Sequence, residues 1–215
     1  MEKKTDFKAL SRKAKVEYIW DYYKLHILIG GCAIAFIISL IHHYVTYKEP
    51  ALEIVMLNTD YAYTGGSPGL DAFIAEQNLD TENYEIIVDS SITVSETGNI
   101  ADDYYTNQSL TLRFTVGEGD ILFSPENVFT SYGESGCLMN LEDVLTDSEL
   151  KELEDILYYV TDIDTGITYP CGVLLPEENW TIENGYYTTP RYLGIGVTAA
   201  HPELAVEFFR YVVNY

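Results

Sequence analysis

The sequence predicts an α/β domain, with a mostly parallel sheet and flanking helices, that follows one N-terminal transmembrane helix. Three observations support this prediction. No residue with a fixed charge occurs between Lys24 and Lys48. Short apolar runs, typical of buried strands, then alternate with stretches of helical periodicity. Basic residues are concentrated before the uncharged stretch and acidic residues after it. We therefore expect a cytoplasmic segment (1–24), a transmembrane helix (25–46) and an extracellular domain (47–215).

The uncharged stretch is long enough to cross a lipid bilayer. It runs from Leu25 to Val45, and about 21 helical residues extend for roughly 30 Å. Seven of the twelve Lys and Arg residues precede it. Because positively charged flanks stay in the cytoplasm, we expect a single-pass cell-membrane protein with a cytoplasmic N-terminus and an extracellular C-terminal domain.

Two other interpretations of this stretch stay open. A cleaved signal peptide requires small residues before the cut, and the chain after the stretch has no A-x-A pattern. The residues 29–32 resemble a lipobox that ends at Cys32, but a lipidated protein should become polar after that cysteine. The chain here stays apolar for several more residues. An uncleaved anchor is the favoured interpretation.

Composition excludes some classes of function. Residues 49–215 contain thirty acidic and four basic residues, a net charge of −26. Such a charge repels a phosphate backbone, so nucleic acid is not an expected partner. Outside the span the cysteines are Cys137 and Cys171, which are either a disulfide pair or two free thiols. No cluster has metal-ligand spacing, so we predict no metal and no cofactor.

Periodicity places strands and helices along the domain. The predicted strands are residues 52–57, 84–88, 120–123 and 192–197, with a hairpin of 158–163 and 167–174. The predicted helices are residues 69–78, 100–114, 128–132, 150–158 and 202–213. Two successive strand–helix units indicate right-handed crossovers, from which the mostly parallel sheet follows.

Three stretches of the domain resemble, in the same order, the type II extracellular solute-binding proteins of ABC importers. They are GEGDILF at 117–123, GITYPCGV at 166–173, and the strand and helix that contain HPELAVEFF, at 195–209. The family has a second lobe between the last two stretches, whereas only about eighteen residues (174–191) separate them here. The resemblance therefore implies one lobe of the type II fold, tethered to a membrane.

Five residues are candidates for binding a ligand. Tyr61 and Tyr63 follow the first predicted strand, Ser124 follows the third, and Trp180 and Tyr186 lie in the short segment that replaces the second lobe. Ligands bind open α/β sheets at the carboxyl ends of strands, and aromatic residues near the cleft of the resembling family stack on sugars. Alternatively, these aromatic residues cover core surface that the missing lobe would have buried.

The favoured function is a non-enzymatic interaction or accessory module, anchored in the bilayer, whose partner is a membrane transporter or another surface protein. The alternative is a small-solute, sugar-like binder with a half-open site. A surface hydrolase is a weaker alternative, because His201 is the only histidine of the domain beyond the membrane edge and it precedes Pro202 at a helix start.

Overall fold

The computed structural model describes residues 11–60, 66–95 and 104–215. The chain divides into two compact units between Tyr47 and Lys48. The described part of the first unit contains one helix, and the second unit contains an α/β sheet structure. Each unit is described by itself.

The first unit is the long helix α1 (Arg12–Thr46). The side chain of Ser11 caps it by accepting a hydrogen bond from the Ala14 amide at 3.4 Å. Its part Trp20–Thr46 is the one helix in the described residues that is long and apolar enough to cross a membrane. The prediction of a single N-terminal apolar helix is thus confirmed. The helix begins before the predicted span, because the basic and aromatic residues that precede the span continue the same helix.

The second unit alternates strands and helices. Its strands are β1 (Glu49–Met56), β2 (Tyr84–Asp89), β3 (Ile121–Ser124), β4 (Leu157–Thr161), β5 (Thr168–Leu174) and β6 (Tyr192–Ile195). Its α-helices are α2 (Pro68–Glu76), α3 (Tyr104–Val116), α4 (Glu126–Glu134), α5 (Asp147–Glu152), α6 (Trp180–Glu183) and α7 (Pro202–Val213), with a 3₁₀ turn at Leu141–Asp143. The predicted α/β class is confirmed.

The six strands form one sheet in the order β2-β1-β3-β6-β5-β4. The pairs β1–β2 and β1–β3 are parallel, whereas β3–β6, β6–β5 and β5–β4 are antiparallel. The prediction of a mostly parallel sheet is therefore wrong, and the sheet is mixed. The physical reason is that only the first half of the chain uses helical crossovers. The second half adds a hairpin and a strand that returns between β3 and β5.

Helices cover both faces of the sheet, and the core has two layers. Strand β1 and the residue after it show why: Leu52, Ile54 and Met56 point to one face, and Val55 and Leu57 point to the other. The first layer packs against α2, α6 and α7. The second layer packs against α3 and α4. Strands buried on both faces read as continuous apolar runs, which is how they were predicted.

An ion-pair network joins α5 to α7. Arg210 Nε donates to Glu149 Oε1 at 2.7 Å, and the Glu149 carboxylate also accepts from the Thr146 amide at 2.7 Å in a capping box. The guanidinium of Arg210 and the amide of Thr146 lower the pKa of Glu149 to about 2. The carboxylate is partly exposed, so solvent screens the pair.

Glu149→Gln is expected to lower the free energy of unfolding by about 1 kcal/mol at pH 7. Because the folded pKa of Glu149 is depressed, its contribution is present above the unfolded pKa of 4.5 and is lost as the pH falls from there towards 2. Urea melts of both chains at pH 7 and pH 2.5 should therefore show a difference that nearly disappears at the lower pH. A difference that grows as the pH falls would contradict this linkage.

Candidate binding groove

The segment 174–191 closes one end of the sheet. It contains the short helix α6, which begins after Asn179. The Asn179 carboxamide oxygen accepts hydrogen bonds from the Thr181 amide at 2.9 Å and from the Thr181 hydroxyl at 2.7 Å. This cap fixes the start of α6. The side chain of Trp180, the first residue of the helix, points into the interior and is 0% exposed.

Three of the five predicted ligand residues lie in the core. The Trp180 ring stacks on Tyr186 at a centroid distance of 5.4 Å and meets Phe208 edge-on at 5.4 Å. Tyr186 and Ser124 are buried too, and the Ser124 hydroxyl donates to the Pro125 carbonyl. These side chains do not face solvent. Trp180 and Tyr186 therefore fit the alternative interpretation, in which the aromatic residues of this segment cover the core.

The other two predicted ligand residues, Tyr61 and Tyr63, lie outside the described residues. The structure does show how the loop before them is held. Tyr187 donates its hydroxyl to the Leu57 carbonyl at 2.9 Å, and the Asp60 carboxylate accepts from the Thr188 amide at 2.6 Å. The segment 174–191 therefore fastens the carboxyl end of β1 to the beginning of β6.

An open groove of about 650 Å³ lies beside this closed end, where β3 ends and β6 begins. Its volume is in the range of ligand pockets. The groove is lined by Pro125, Glu126, Asn127, Thr130, Tyr158, Pro190, Arg191 and Tyr192. Helix α4 begins at this groove, and no side chain caps its first turn. The backbone donors of that turn add to the polar groups of the lining.

Two tyrosines form the aromatic wall of the groove. The rings of Tyr158 and Tyr192 meet edge-on at 4.6 Å, and both pack against Phe129 in the core. Burial raises the pKa of Tyr158 and raises that of Tyr192 to about 12, with Glu126 adding to both shifts. Both phenols therefore stay protonated at neutral pH. The Tyr158 hydroxyl lies 2.8 Å from Thr130 Oγ1 and 3.3 Å from a carboxylate oxygen of Glu126.

Asn127 and Arg191 provide further polar groups of the groove lining. Asn127 donates from its Nδ2 to the Ser95 carbonyl at 2.8 Å, whereas its buried Oδ1 has no partner among the described residues. The Arg191 guanidinium lies over the Tyr187 ring at 5.1 Å. The groove therefore offers hydrogen-bond donors, hydrogen-bond acceptors and charged side chains of both signs. This set of groups suits a polar, largely neutral ligand or a segment of polypeptide. Among the described residues no group of three or more His, Cys, Asp or Glu side chains could hold a metal ion.

The first and third motifs of the resemblance meet at the end of β3 and β6 that lies opposite the groove. Asp120 is buried and accepts hydrogen bonds from the Glu53 amide at 2.7 Å and from the Ala200 amide at 2.9 Å. The Gly196 amide donates to the Asp120 carbonyl at 2.9 Å. A Cβ atom at Gly196 would collide with the Gly119 carbonyl. The first and third motifs thus hold each other in place.

Cys137 and Cys171 are not bridged in the structure, and both are free thiols. Cys171 is fully buried in β5, and Cys137 is half-buried against the same core layer. Burial raises the pKa of the Cys171 thiol to about 12 and raises that of Cys137 as well.

The thiols are expected to react slowly with iodoacetamide at pH 8 while the chain is folded, because the thiolate is the reactive form. Cys171 should react more slowly than Cys137, since it is the more deeply buried. Mass spectrometry after unfolding in urea without reductant should show both residues alkylated. If neither were alkylated there, the pair would be a disulfide.

The chain matches no protein-family model, no curated protein and no solved structure.

Proposed function

We propose that the protein is a membrane-anchored, non-enzymatic interaction module, and that its groove holds a segment of another membrane or surface protein. Helix α1 anchors the chain in the bilayer with the N-terminus in the cytoplasm. Residues 48–215 lie outside the cell. A transporter is the kind of partner that the resemblance to solute-binding proteins implies.

One observation carries this proposal: the segment 174–191 seals the sheet end instead of leading to a second lobe. Trp180 has 0% exposure, and Tyr187 and Asp60 tie the segment to the end of β1. A two-lobed binder encloses its ligand as the lobes close. A single sealed lobe leaves the groove open on one side, so a partner has to supply the missing wall.

The resemblance to one lobe of a type II solute-binding protein belongs to this proposal. The first two resembling stretches fall on β3 and β5, and the third begins at the end of β6, which lies between these two strands, and continues into α7. Stretches that are distant in sequence therefore meet in one place. This arrangement is what a shared lobe architecture requires, and it supports the proposed relationship.

The expected topology can be measured with reporter fusions. A reporter that is active only outside the cell should work when fused after Tyr215 and fail when fused before Met1. The reason is that seven of the twelve Lys and Arg residues precede the span. The opposite pattern of activity would contradict the proposed orientation. A mature N-terminus at Cys32 that carries lipid would replace the helical anchor with a lipoprotein.

Photo-cross-linking in cells tests the groove as a contact surface. The two tyrosines of the sequence Tyr158-Tyr159 provide a matched pair, because Tyr158 lines the groove whereas Tyr159 does not and is 52% exposed. With p-benzoylphenylalanine at position 158 of the full-length chain, we expect an adduct with one defined membrane or surface protein. The same amino acid at position 159 should give none. Equal adducts at both positions, or none at either, would contradict the proposal.

The second candidate function is capture of a small, sugar-like solute in the same groove. It is favoured by the groove volume of about 650 Å³ and by the paired tyrosines. Thermal melting distinguishes the two candidates. A solute that raises the melting temperature of the wild-type chain, but not that of the Tyr192→Ala chain, would favour solute binding.

A further inference from the structure

We infer that the groove binds a positively charged side chain, arginine or lysine, of the partner segment. The inference names the chemistry of the partner and rests on the proposed function. The residue that carries it is Glu126, the first residue of α4, which is exposed and lines the groove. We call Glu126 and the two tyrosines beside it, Tyr158 and Tyr192, the Glu126 site.

The negative charge of Glu126 is not neutralised within the part of the chain that the structure describes. The Tyr158 hydroxyl donates to a carboxylate oxygen of Glu126 at 3.3 Å, and Tyr192 also hydrogen-bonds to this carboxylate. Both phenols are protonated and neutral, so they orient the carboxylate without cancelling its charge. Among the described residues, no Lys or Arg side chain forms an ion pair with Glu126.

The domain has few basic residues of its own that could fill this role. Residues 48–215 contain five Lys and Arg residues, of which Arg191 lines the groove. Two of the other four already form ion pairs with carboxylates of β2, α5 and α7. Residues 61–65 and 96–103 contain no Lys or Arg. The four that do not line the groove are Lys48, Arg113, Lys151 and Arg210.

The positive charge of Arg191 is compensated on the other side of the groove, by the segment 174–191 and the loop that it holds. The Arg191 guanidinium lies over the Tyr187 ring at 5.1 Å. Hydrogen bonds from Thr188 lower the pKa of Asp60, and the charge of Arg191 adds to this shift. Arg191 is thus balanced by a ring and a carboxylate of its own chain. A cation for Glu126 has to come from the partner.

The chemistry of the Glu126 site favours an ammonium or guanidinium group over a metal ion. A metal ion of the calcium or magnesium type needs several oxygen ligands, and among the described residues no group of three or more His, Cys, Asp or Glu could hold one. A Lys or Arg side chain needs only one carboxylate and is also attracted to the face of an aromatic ring. The partly exposed rings of Tyr158 and Tyr192 supply such faces beside Glu126.

The charge of the whole domain favours the same kind of partner. Residues 49–215 contain thirty acidic and four basic residues. Such a surface attracts a basic segment and repels an acidic one, which speeds the encounter with the first and suppresses the second. The acidic surface acts at a distance, whereas the Glu126 site gives one cationic side chain a specific position. A neutral segment would leave the charge of Glu126 unused.

Photo-cross-linking of the full-length chain in cells, combined with charge reversal, tests the inference. The probe, p-benzoylphenylalanine, replaces Pro190, which lines the groove, so that Tyr158 keeps its contact with Glu126. Glu126→Lys should lower the yield of adduct by about tenfold, because like charges would then face each other. Glu134→Lys is the matched control. It changes the net charge equally at the exposed last residue of α4, away from the groove lining, and should leave the yield unchanged.

A charge swap shows that the loss is not a folding defect. Mass spectrometry of the adduct identifies the cross-linked partner segment, which should contain a Lys or Arg. Replacing that residue by Glu should remove the adduct with the chain that retains Glu126 and restore it with the Glu126→Lys chain. Equal yields from Glu126→Lys and Glu134→Lys, a segment without Lys or Arg, or a swap that restores nothing would each overturn the inference.

The chain that carries only the probe separates this inference from the proposed function. If it gives no adduct, the groove is not a contact surface, and the proposed function fails together with the inference. If it gives an adduct that Glu126→Lys leaves unchanged, the proposed function stands and the inference alone is contradicted.

Discussion

Trp180→Ala is expected to lower the free energy of unfolding of residues 48–215 by about 3–5 kcal/mol. Trp180 is fully buried and contacts three aromatic rings, those of Phe123, Tyr186 and Phe208. Alanine would leave a cavity between α6, α7 and the sheet that the surrounding elements cannot close, because each is fixed by its own contacts. Urea melts at neutral pH measure the loss.

Tyr159→Ala is the control for the Trp180 measurement. Tyr159 is also aromatic but is 52% exposed, so its replacement should change the free energy of unfolding by no more than about 0.5 kcal/mol. A Trp180→Ala loss as small as that of the control would contradict the conclusion that the segment 174–191 closes the end of the sheet. It would place Trp180 at an open edge, and solute binding would then be the better hypothesis.

The strands were predictable because burial on both faces leaves a local signature. Residues 52–57 are apolar except for Glu53, and β1 is Glu49–Met56. Helix α7 has the predicted bounds, Pro202–Val213, since proline starts the helix and its buried residues recur at helical spacing. Such features depend only on neighbours along the chain.

Strand direction was not predictable, because it depends on contacts between distant residues. Strand β6 lies between β3 and β5, and the sequence 192–195 contains nothing that selects these neighbours. The predicted helix 150–158 was too long for a similar reason. Helix α5 ends at Glu152, and Leu157 already belongs to β4. Apolar residues at helical spacing fit equally well a helix that ends early and a strand that follows it.

The groove and the predicted ligand residues share only a position on the sheet. The groove does lie at the carboxyl end of β3, where Ser124 was predicted to act. The predicted side chains Ser124, Trp180 and Tyr186 are instead part of the core. Tyr158 and Tyr192 were missed, because they are brought together by the pairing of β4 and β6 with β5. The available signal was a tyrosine at or next to the start of each strand.

The segment 174–191 explains why core aromatic residues resembled ligand residues. A loop with a tryptophan and two adjacent tyrosines is typical of a binding edge, but the same composition is needed to cover an apolar sheet end. The hydrogen bonds decide between the two. The Asn179 cap and the bond from Tyr187 to Leu57 fix these rings inward, and neither bond is evident from spacing alone.

Asp120→Ala is expected to lower the free energy of unfolding by about 2–4 kcal/mol, although Asp120 lies at the end of β3 that is opposite the groove. Its two carboxylate oxygens accept hydrogen bonds from the amides of Glu53 and Ala200, which join β1 to the loop before α7. Burial raises the pKa of Asp120 more than these two donors lower it, so the carboxylate is held in a costly environment by the bonds it makes.

Alanine would leave both amides, which are only partly buried, without this acceptor, and each such amide costs about 1–2 kcal/mol. Asp120→Asn is the graded control for this prediction. It keeps one acceptor oxygen but turns an amide donor towards the other backbone amide, so its loss should lie between those of the wild type and of alanine. Urea melts of the three chains measure how much the free energy of unfolding falls. Hydrogen exchange at the amides of Glu53 and Ala200 shows where in the structure the protection is lost. Protection should fall at Glu53 and Ala200 in the alanine chain, while the groove residue Tyr192, at the other end of β6, keeps its protection. If the alanine chain were as stable as the wild type, the first and third motifs would not depend on Asp120 to hold each other in place.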